Sequence, residues 1–318
     1  MNTTNSHALR GTLCAALGGV CWGFSGTCGQ YLFSRFGVSS LWLTCLRLLA
    51  AGLIMVLLAL PKHHGAMAAI WRSPREAALL VCYGVLGLLM CQYAYMTAIS
   101  YSNAATATVL QTLNLVLIML LTCLRGHRPP RPVELTALAL ALAGTFLLAT
   151  GGDIRHMTLS PQGLFWGLAA AVAVVGYVML PRGLMTRWGR APITAMGMLI
   201  GGIAVNLAAR SWTFGVHLPF RGWLAAACII VLGTIVAFSL IMQGIQDVGP
   251  VKASMLAATE PLSATVFSAL WLGTAFSPTD LIGFACIVST IFLLAKSDRG
   301  IDTALRFSYT ETSPTGQI

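Results

Sequence analysis

The chain has 318 residues, of which 57% are hydrophobic and 9% charged, and its formal net charge is +10. A soluble domain carries about a quarter charged residues, so the natural solvent for this much apolar surface is a bilayer. The basic residues lie in short loops between apolar runs. This distribution fits membrane topology better than phosphate binding, and we expect no nucleic-acid partner.

Long apolar runs predict the helices. A bilayer core of about 30 Å needs about 20 apolar residues in a helix. Residues 1–10 and 296–318 are predicted tails, and Pro61 is expected to end the second span. The long connections, 61–76 and 210–221, leave no room for an extramembrane domain. The ten predicted spans are 11–33, 39–60, 77–100, 104–124, 132–150, 161–181, 192–209, 222–245, 251–272 and 279–295.

Lysine and arginine counts predict the orientation of these spans. With the N-terminus inside, the inner segments hold 14 basic residues and the outer segments hold 4. Cytoplasmic loops of membrane proteins carry this excess. We therefore expect a multi-pass protein of the cytoplasmic membrane, surrounded by lipid, with both termini in the cytoplasm.

An internal repeat divides the chain. Residues 98–149 align with 244–295 without a gap at an offset of 146, and eleven of 52 positions are identical. The repeats are predicted to span 11–150 and 160–295, with five helices each. Because five is odd, the second repeat enters the membrane from the opposite side. The predicted fold class is therefore an all-α integral membrane protein of ten helices in two inverted five-helix repeats.

Two charged residues lie deep within predicted spans. Glu260 is followed by Pro261 in the ninth span, and Arg47 interrupts the second span. Charges at this depth are costly and often functional. Their estimated depths would allow an Arg47–Glu260 ion pair. The repeat places Asn114-Leu115 opposite Glu260-Pro261, so we expect the charge and the helix break in one half only.

These residues carry a family resemblance. The chain resembles the EamA family of the drug/metabolite transporter superfamily in several short motifs over residues 10–296. They are Trp-Gly in spans 1 and 6, Arg47 in span 2, the Ala-rich turns into spans 4 and 9, Glu260-Pro261, and the Pro-x-acid starts of spans 5 and 10. The resemblance implies a central cavity lined mainly by spans 1, 3, 4, 6, 8 and 9, with spans 5 and 10 peripheral. It also implies export of amino acids or other small metabolites, often driven by protons.

Polar and aromatic side chains on the central spans are candidates for binding substrate or coupling ions. Glu260 could carry a proton or face a substrate amine, and Arg47 could bind a substrate carboxylate, but each could instead serve structure alone. For the others, helix packing or interhelical bonding is the competing interpretation. The candidates are Glu260, Arg47, Trp22, Gln92, Tyr95, Gln111, Asn114, Trp166, Gln243 and Ser263.

The chain lacks the patterns of a catalyst. It has no P-loop and no HExxH motif, and its six histidines fall outside the predicted spans. Nine cysteines form no CxxC pair, so we expect no metal site and no cofactor. A membrane-embedded enzyme would need paired acids or a Ser/His set, and a channel or receptor would favour repeated polar rings. We therefore predict a secondary transporter of small molecules, with those classes as alternatives.

Overall fold

The computed structural model describes residues 2–125, 129–153 and 157–296, and every regular element in these ranges is a helix. Two segments are π-helical, Tyr83–Leu89 and Val231–Val236, and Ser211–Thr213 forms a 3₁₀ turn. The α-helices are α1 (Asn2–Phe36), α2 (Ser40–Ile70), α3 (Pro74–Cys82), α4 (Met90–Tyr101), α5 (Ala104–Gln111), α6 (Asn114–Arg125), α7 (Pro132–Thr150), α8 (Pro161–Met179), α9 (Arg182–Trp188), α10 (Arg190–Ala209), α11 (Phe220–Ile230), α12 (Ala237–Val248), α13 (Pro250–Ala257), α14 (Thr259–Leu272) and α15 (Pro278–Lys296).

The helices are long and apolar, which confirms the all-α membrane class. Exposed apolar side chains such as Leu270 and Phe220 suit contact with lipid. The apolar part of α15, Pro278–Leu294, is shorter than the other spans. Within the described ranges, eight helical stretches are long and apolar enough to cross a membrane: Ser40–Ile70, Pro74–Tyr101, Ala104–Arg125, Pro132–Thr150, Pro161–Trp188, Arg190–Ala209, Phe220–Val248 and Met255–Leu272.

Several predicted boundaries agree closely with the structure. The fifth span, predicted at 132–150, is α7, and Gly151 ends it in the left-handed conformation at φ 63°. The sixth span begins as α8, where the Ser160 hydroxyl accepts a bond from the Gly163 amide. The predicted C-terminal tail from residue 297 onward lies outside the described residues.

The prediction that Pro61 ends the second span is wrong. Helix α2 continues through Pro61 to Ile70. A proline removes one helical hydrogen bond, but packing beyond it can hold the helix together. Met67 and Ile70 are buried in the same apolar cluster as Leu80 and Leu184, and this burial stabilises the last two turns of α2.

The expectation that only one half contains a broken helix is also wrong. One break separates α5 from α6 at residues 112–113, and the other separates α13 from α14 at Ala258. These positions match at the repeat offset of 146. In the first half, Thr112 Oγ1 donates to the Val109 carbonyl and Asn114 Nδ2 to the Gln111 carbonyl, both at 2.7 Å. These side-chain bonds satisfy carbonyls at the break without any proline.

Helix α1 lies at the centre of the bundle, packed against α12 and α14. Its glycines allow this close approach. A Cβ atom on Gly19 would lie 2.8 Å from the Ala257 carbonyl oxygen, and one on Gly23 would meet the Glu260 carbonyl oxygen and the Ser263 hydroxyl. Small residues let membrane helices pack backbone to backbone. The start of α14 is therefore positioned directly against α1.

Helices α2 and α10 meet through reciprocal glycine contacts. A Cβ on Gly52 would lie 2.6 Å from the Leu199 amide, and one on Gly202 would lie 2.7 Å from the Leu49 amide. Leu199 and Gly202 each stand 150 positions after their counterparts Leu49 and Gly52. The two helices thus approach each other closely at both glycines.

Candidate functional site

A cavity of about 230 Å³ lies among the central helices, next to both helix breaks and the second π segment. It is smaller than the pockets of about 300–1,000 Å³ that hold drug-sized ligands. Its walls come from both halves of the chain. The lining residues are Trp22, Ser25, Arg47, Leu88, Cys91, Gln92, Tyr95, Gln111, Thr112, Asn114, Val174, Tyr177, Met198, Gly233, Thr234, Phe238 and Glu260.

Arg47 reaches the cavity from α2 and is only 5% exposed. Its Nε donates to the Thr234 hydroxyl at 3.1 Å, and its Nη2 donates to the Gly233 carbonyl at 3.2 Å. Both acceptors belong to the π segment Val231–Val236, and π segments often occur at functional sites. Arg47 Nη1 is buried and has no hydrogen-bond partner in the described part of the chain. Two nitrogens of the guanidinium are thus fixed, and the third is free.

Glu260 reaches the cavity from the first turn of α14. Pro261 follows it within that same turn. Proline has no backbone N–H, but the first N–H groups of a helix have no acceptor within the helix, so no helical hydrogen bond is lost there. Peptide dipoles favour negative charge at the start of a helix. Among the described residues, no side chain donates a hydrogen bond to the Glu260 carboxylate. The break at Ala258 therefore places an unbonded acid inside the bundle.

The direct Arg47–Glu260 ion pair that the estimated depths would allow is not formed. Both residues line one cavity, but no nitrogen of Arg47 lies within 4.0 Å of a Glu260 carboxylate oxygen in the described structure. Arg47 is held by the π segment instead, and Glu260 is held by the backbone of α14. The cavity consequently presents a base and an acid that are separate.

Other predicted residues surround these two. Tyr95 and Thr108 share a hydroxyl–hydroxyl bond of 2.8 Å, which fixes α4 against α5. Gln111 Nε2 lies 3.8 Å from Cys91 Sγ, and Asn114 donates to the carbonyl of Gln111. Seven of the ten candidates line the cavity: Glu260, Arg47, Trp22, Gln92, Tyr95, Gln111 and Asn114.

Three candidates lie outside the cavity. Trp166 packs edge-on against Tyr93, with ring centroids 5.3 Å apart. Gln243 donates to the Asp247 carboxylate at 3.0 Å near the end of α12. Ser263 donates to the Glu260 backbone carbonyl and packs against α1. Their contacts are with other protein groups.

Sequence reasoning missed several lining residues. Thr234 and Gly233 hold Arg47, Cys91 lies beside Gln111, and Tyr177 stacks on a buried tyrosine. Helices α2 and α10 contribute Arg47 and Met198, although the resemblance names neither of their spans as a main contributor. Polar side chains within spans 6 and 8 were a usable signal for Tyr177 and Thr234. None of the described lining residues belongs to α7 or α15.

The described residues contain no group of three or more His, Cys, Asp or Glu side chains that could hold a metal ion. The nine cysteines are free. The cavity can therefore offer hydrogen bonds, two opposite charges and aromatic faces to a ligand.

Comparison with known proteins identifies the family. The profile of the EamA-like transporter family matches residues 9–150 and again residues 161–296. The chain belongs to the EamA-like transporter family. Membership in the EamA family makes it a multi-pass membrane transporter and points away from an enzyme.

EamA relatives and a solved structure agree with this assignment. The uncharacterized inner membrane transporter YicL of Salmonella typhimurium is 36% identical over 293 residues, covering 91% of this chain and 96% of YicL. The uncharacterized inner membrane transporter YedA of Escherichia coli K12 is 26% identical over 290 residues, covering 86% of this chain and 87% of YedA. One crystal structure superposes with a TM-score of 0.61 at 20% identity, covering 93% of this chain and 99% of that one, and so shares its fold.

Proposed function

We propose that this chain is a secondary transporter that exports a small polar metabolite, such as an amino acid, by alternating access. The observation that carries the proposal is the cavity shared by Arg47 and Glu260. One charge comes from each half of the chain, and each half supplies one broken helix beside the cavity. Secondary transporters bind substrate at such repeat interfaces, next to discontinuous helices.

The proposed architecture is ten spans in two inverted five-helix repeats, with α1 and α15 as the first and last spans. The reciprocal contacts of Gly52 and Gly202 support it, since both contact pairs of α2 and α10 are related by the same local shift of 150 positions. The matched helix breaks support it as well. So do the two π segments, one in the third span of each half. Such halves can exchange conformations and expose one site to either side in turn.

The proposed location is an inner membrane, which the names of YicL and YedA give for those proteins. The proposed orientation places both termini in the cytoplasm. The excess of basic residues in the predicted inner segments supports it. In this orientation, the bonds from Arg10 to Asp247 and from Arg187 to Glu76 join the halves on the inner side.

The outer side is joined differently. Gln30 on α1 bonds to the Ala104 amide and to the hydroxyls of Ser268 and Thr274. Neutral hydrogen bonds therefore hold the outer ends, whereas ion pairs hold the inner ends. Alternating access requires each set to open in turn.

Glu260 is the proposed coupling residue. Its carboxylate faces the cavity without a hydrogen-bond donor from the described protein, so a proton and a substrate amine can compete for it. If the proton and the substrate bind the same acid in turn, the proton crosses the membrane in one direction and the substrate in the other. This competition supports the proposal of proton-driven export.

Transport in proteoliposomes tests this function. A panel of radiolabelled amino acids and other small metabolites would be supplied with and without a pH gradient, alongside protein-free liposomes. We expect saturable counterflow for at least one compound and net flux that increases with an opposing proton gradient. Vesicles that hold the protein in one known orientation would show the direction of transport. Absence of flux and counterflow for every metabolite would contradict the proposal.

A further inference from the structure

Two buried polar atoms on one wall of the cavity have no partner. Ser25 Oγ and Arg47 Nη1 make no hydrogen bond in the described structure, although Ser25 is 1% and Arg47 5% exposed. Buried polar groups are nearly always bonded. Both residues line the cavity.

Gly233 brings these two residues together. Its carbonyl accepts from Arg47 Nη2 at 3.2 Å. A Cβ atom on Gly233 would collide with Ser25 Oγ, so Ser25 packs directly against the same residue. Helices α1 and α2 thus converge on one point of the π segment. A side chain at position 233 would displace Ser25.

The geometry of Arg47 restricts how it can move. Thr234 and Gly233 hold Nε and Nη2, so the planar guanidinium cannot turn toward Glu260 without losing two bonds. Its free Nη1 remains a donor with two hydrogens, and the Ser25 hydroxyl adds a third donor hydrogen. Charged donors beside a hydroxyl suit a carboxylate, which accepts several hydrogen bonds and carries the opposite charge.

We propose that Ser25 Oγ and Arg47 Nη1 form a carboxylate subsite, and that Glu260 receives the amino group of the same molecule. The inference rests on the proposed function, because it takes the cavity as the transport site. It narrows the substrate to a small zwitterion. An acid and a base that share a cavity without pairing match the two ends of such a molecule, and about 230 Å³ limits its size. Trp22 and Phe238 supply apolar surface for the remaining part.

The test measures binding to the purified protein in lipid nanodiscs. The probes are the twenty proteinogenic L-amino acids and, for each that binds, the matching carboxamide and the matching acid without the amino group. We expect at least one amino acid to bind, and its carboxamide to bind at least about tenfold more weakly, as loss of a charge-assisted hydrogen bond predicts.

Variants assign the subsites. Ser25→Ala is expected to weaken binding of the amino acid more than binding of its carboxamide, because the hydrogen bond to a charged carboxylate is the stronger one. Glu260→Gln should weaken both and leave the acid without an amino group unaffected. Thr290→Val is the control, since Thr290 is also a buried hydroxyl residue but bonds within α15 and is not among the described lining residues of the cavity. A folded Ser25→Ala protein, shown by its unfolding temperature, keeps the comparison valid even if Arg47 variants fail to fold.

Three results would overturn the inference. In one, none of the twenty amino acids binds. In another, carboxamide and amino acid bind equally well. In the third, Ser25→Ala leaves the ratio of the affinities for the amino acid and its carboxamide unchanged. This result is expected if Ser25 bonds only to water. Flux of a different metabolite in proteoliposomes would leave the transport function intact in each of these cases, so the two proposals fail separately.

Discussion

Arg47 on α2 donates from Nε to the Thr234 hydroxyl at 3.1 Å, and this bond joins the first half of the chain to the π segment of the second. Thr234 is 3% exposed and also donates to the Ile229 carbonyl five residues earlier. The threonine therefore links the irregular helix to the buried charge. The cavity keeps its shape because a tertiary contact stabilises the local distortion.

Replacing Thr234 with valine removes the hydroxyl that accepts from Arg47 Nε and keeps the shape of the side chain. We expect the free energy of unfolding to fall by about 1–3 kcal/mol, because Arg47 Nε would be left buried and unbonded. Unfolding in detergent, followed by circular dichroism, measures it. Thr290→Val is the control, since Thr290 is also buried but, among the described residues, its hydroxyl bonds only within α15. Equal losses in both variants would contradict the role of the Arg47 bond.

Gly23→Ala should disturb the site from outside the cavity. The added Cβ would collide with the Glu260 backbone and the Ser263 hydroxyl, so the start of α14 must move. We expect strongly reduced substrate counterflow in proteoliposomes. Gly29→Ala on the same helix should be tolerated, because the nearest atom, Met96 Sδ, is 3.5 Å from its Cβ. Normal transport by Gly23→Ala would show that the α1–α14 contact does not position Glu260.

Glu260→Gln should separate exchange from proton coupling. The amide keeps the size of the side chain but cannot release a proton. We expect counterflow of substrate to persist, although with lower affinity, while net flux loses its dependence on pH. Glu260→Asp retains a carboxylate and should retain that dependence. Unchanged pH dependence in Glu260→Gln would exclude the coupling role.

Asp247→Asn should weaken closure on the inner side. Arg10 Nε and Nη2 each lie 2.8 Å from a carboxylate oxygen of Asp247, so the substitution removes the charge from a two-bond contact. In a protein whose single cysteine is Cys91 in the cavity, we expect several-fold faster labelling by an impermeant maleimide added to inside-out vesicles. Asp280→Asn is the control, since within the described part of the chain the Asp280 carboxylate bonds only to Ser277, in the turn before α15. Labelling at the same rate in both variants would rule out an inner closure at Asp247.

The reciprocal α2–α10 contact predicts matched losses of stability. Gly52→Ala and Gly202→Ala each place a Cβ against backbone of the opposite helix, at Leu199 and Leu49. Overpacking of this kind costs about 1–3 kcal/mol, and we expect similar values for the two variants. Gly65→Ala, which meets no atom within 4 Å, should not destabilise. Thermal unfolding measures all three, and a loss confined to one of the paired variants would contradict equivalent contacts.

Much of the fold was readable from local chemistry. The start of α8 at Ser160 and the end of α7 at Gly151 follow from capping preferences that act within one helical turn. Arg47 and Glu260 were identifiable because charges within apolar runs are rare. The break at Thr112 was not predicted, because it contains no proline. Side-chain hydrogen bonds to backbone carbonyls accompany this break, whereas a proline lies next to the break in the other half.

The sequence by itself determined that this protein lies in a bilayer. It also determined the apolar runs, the positions of the deep charges and the correspondence between the two halves, because composition and periodicity can be read locally along the chain. Only the tertiary structure decided that Arg47 bonds to the π segment and not to Glu260, and that Ser25 and Cys91 face the cavity. Those contacts join residues far apart in the chain. They depend on helix rotation and on close approach at glycines, which apolar periodicity does not specify.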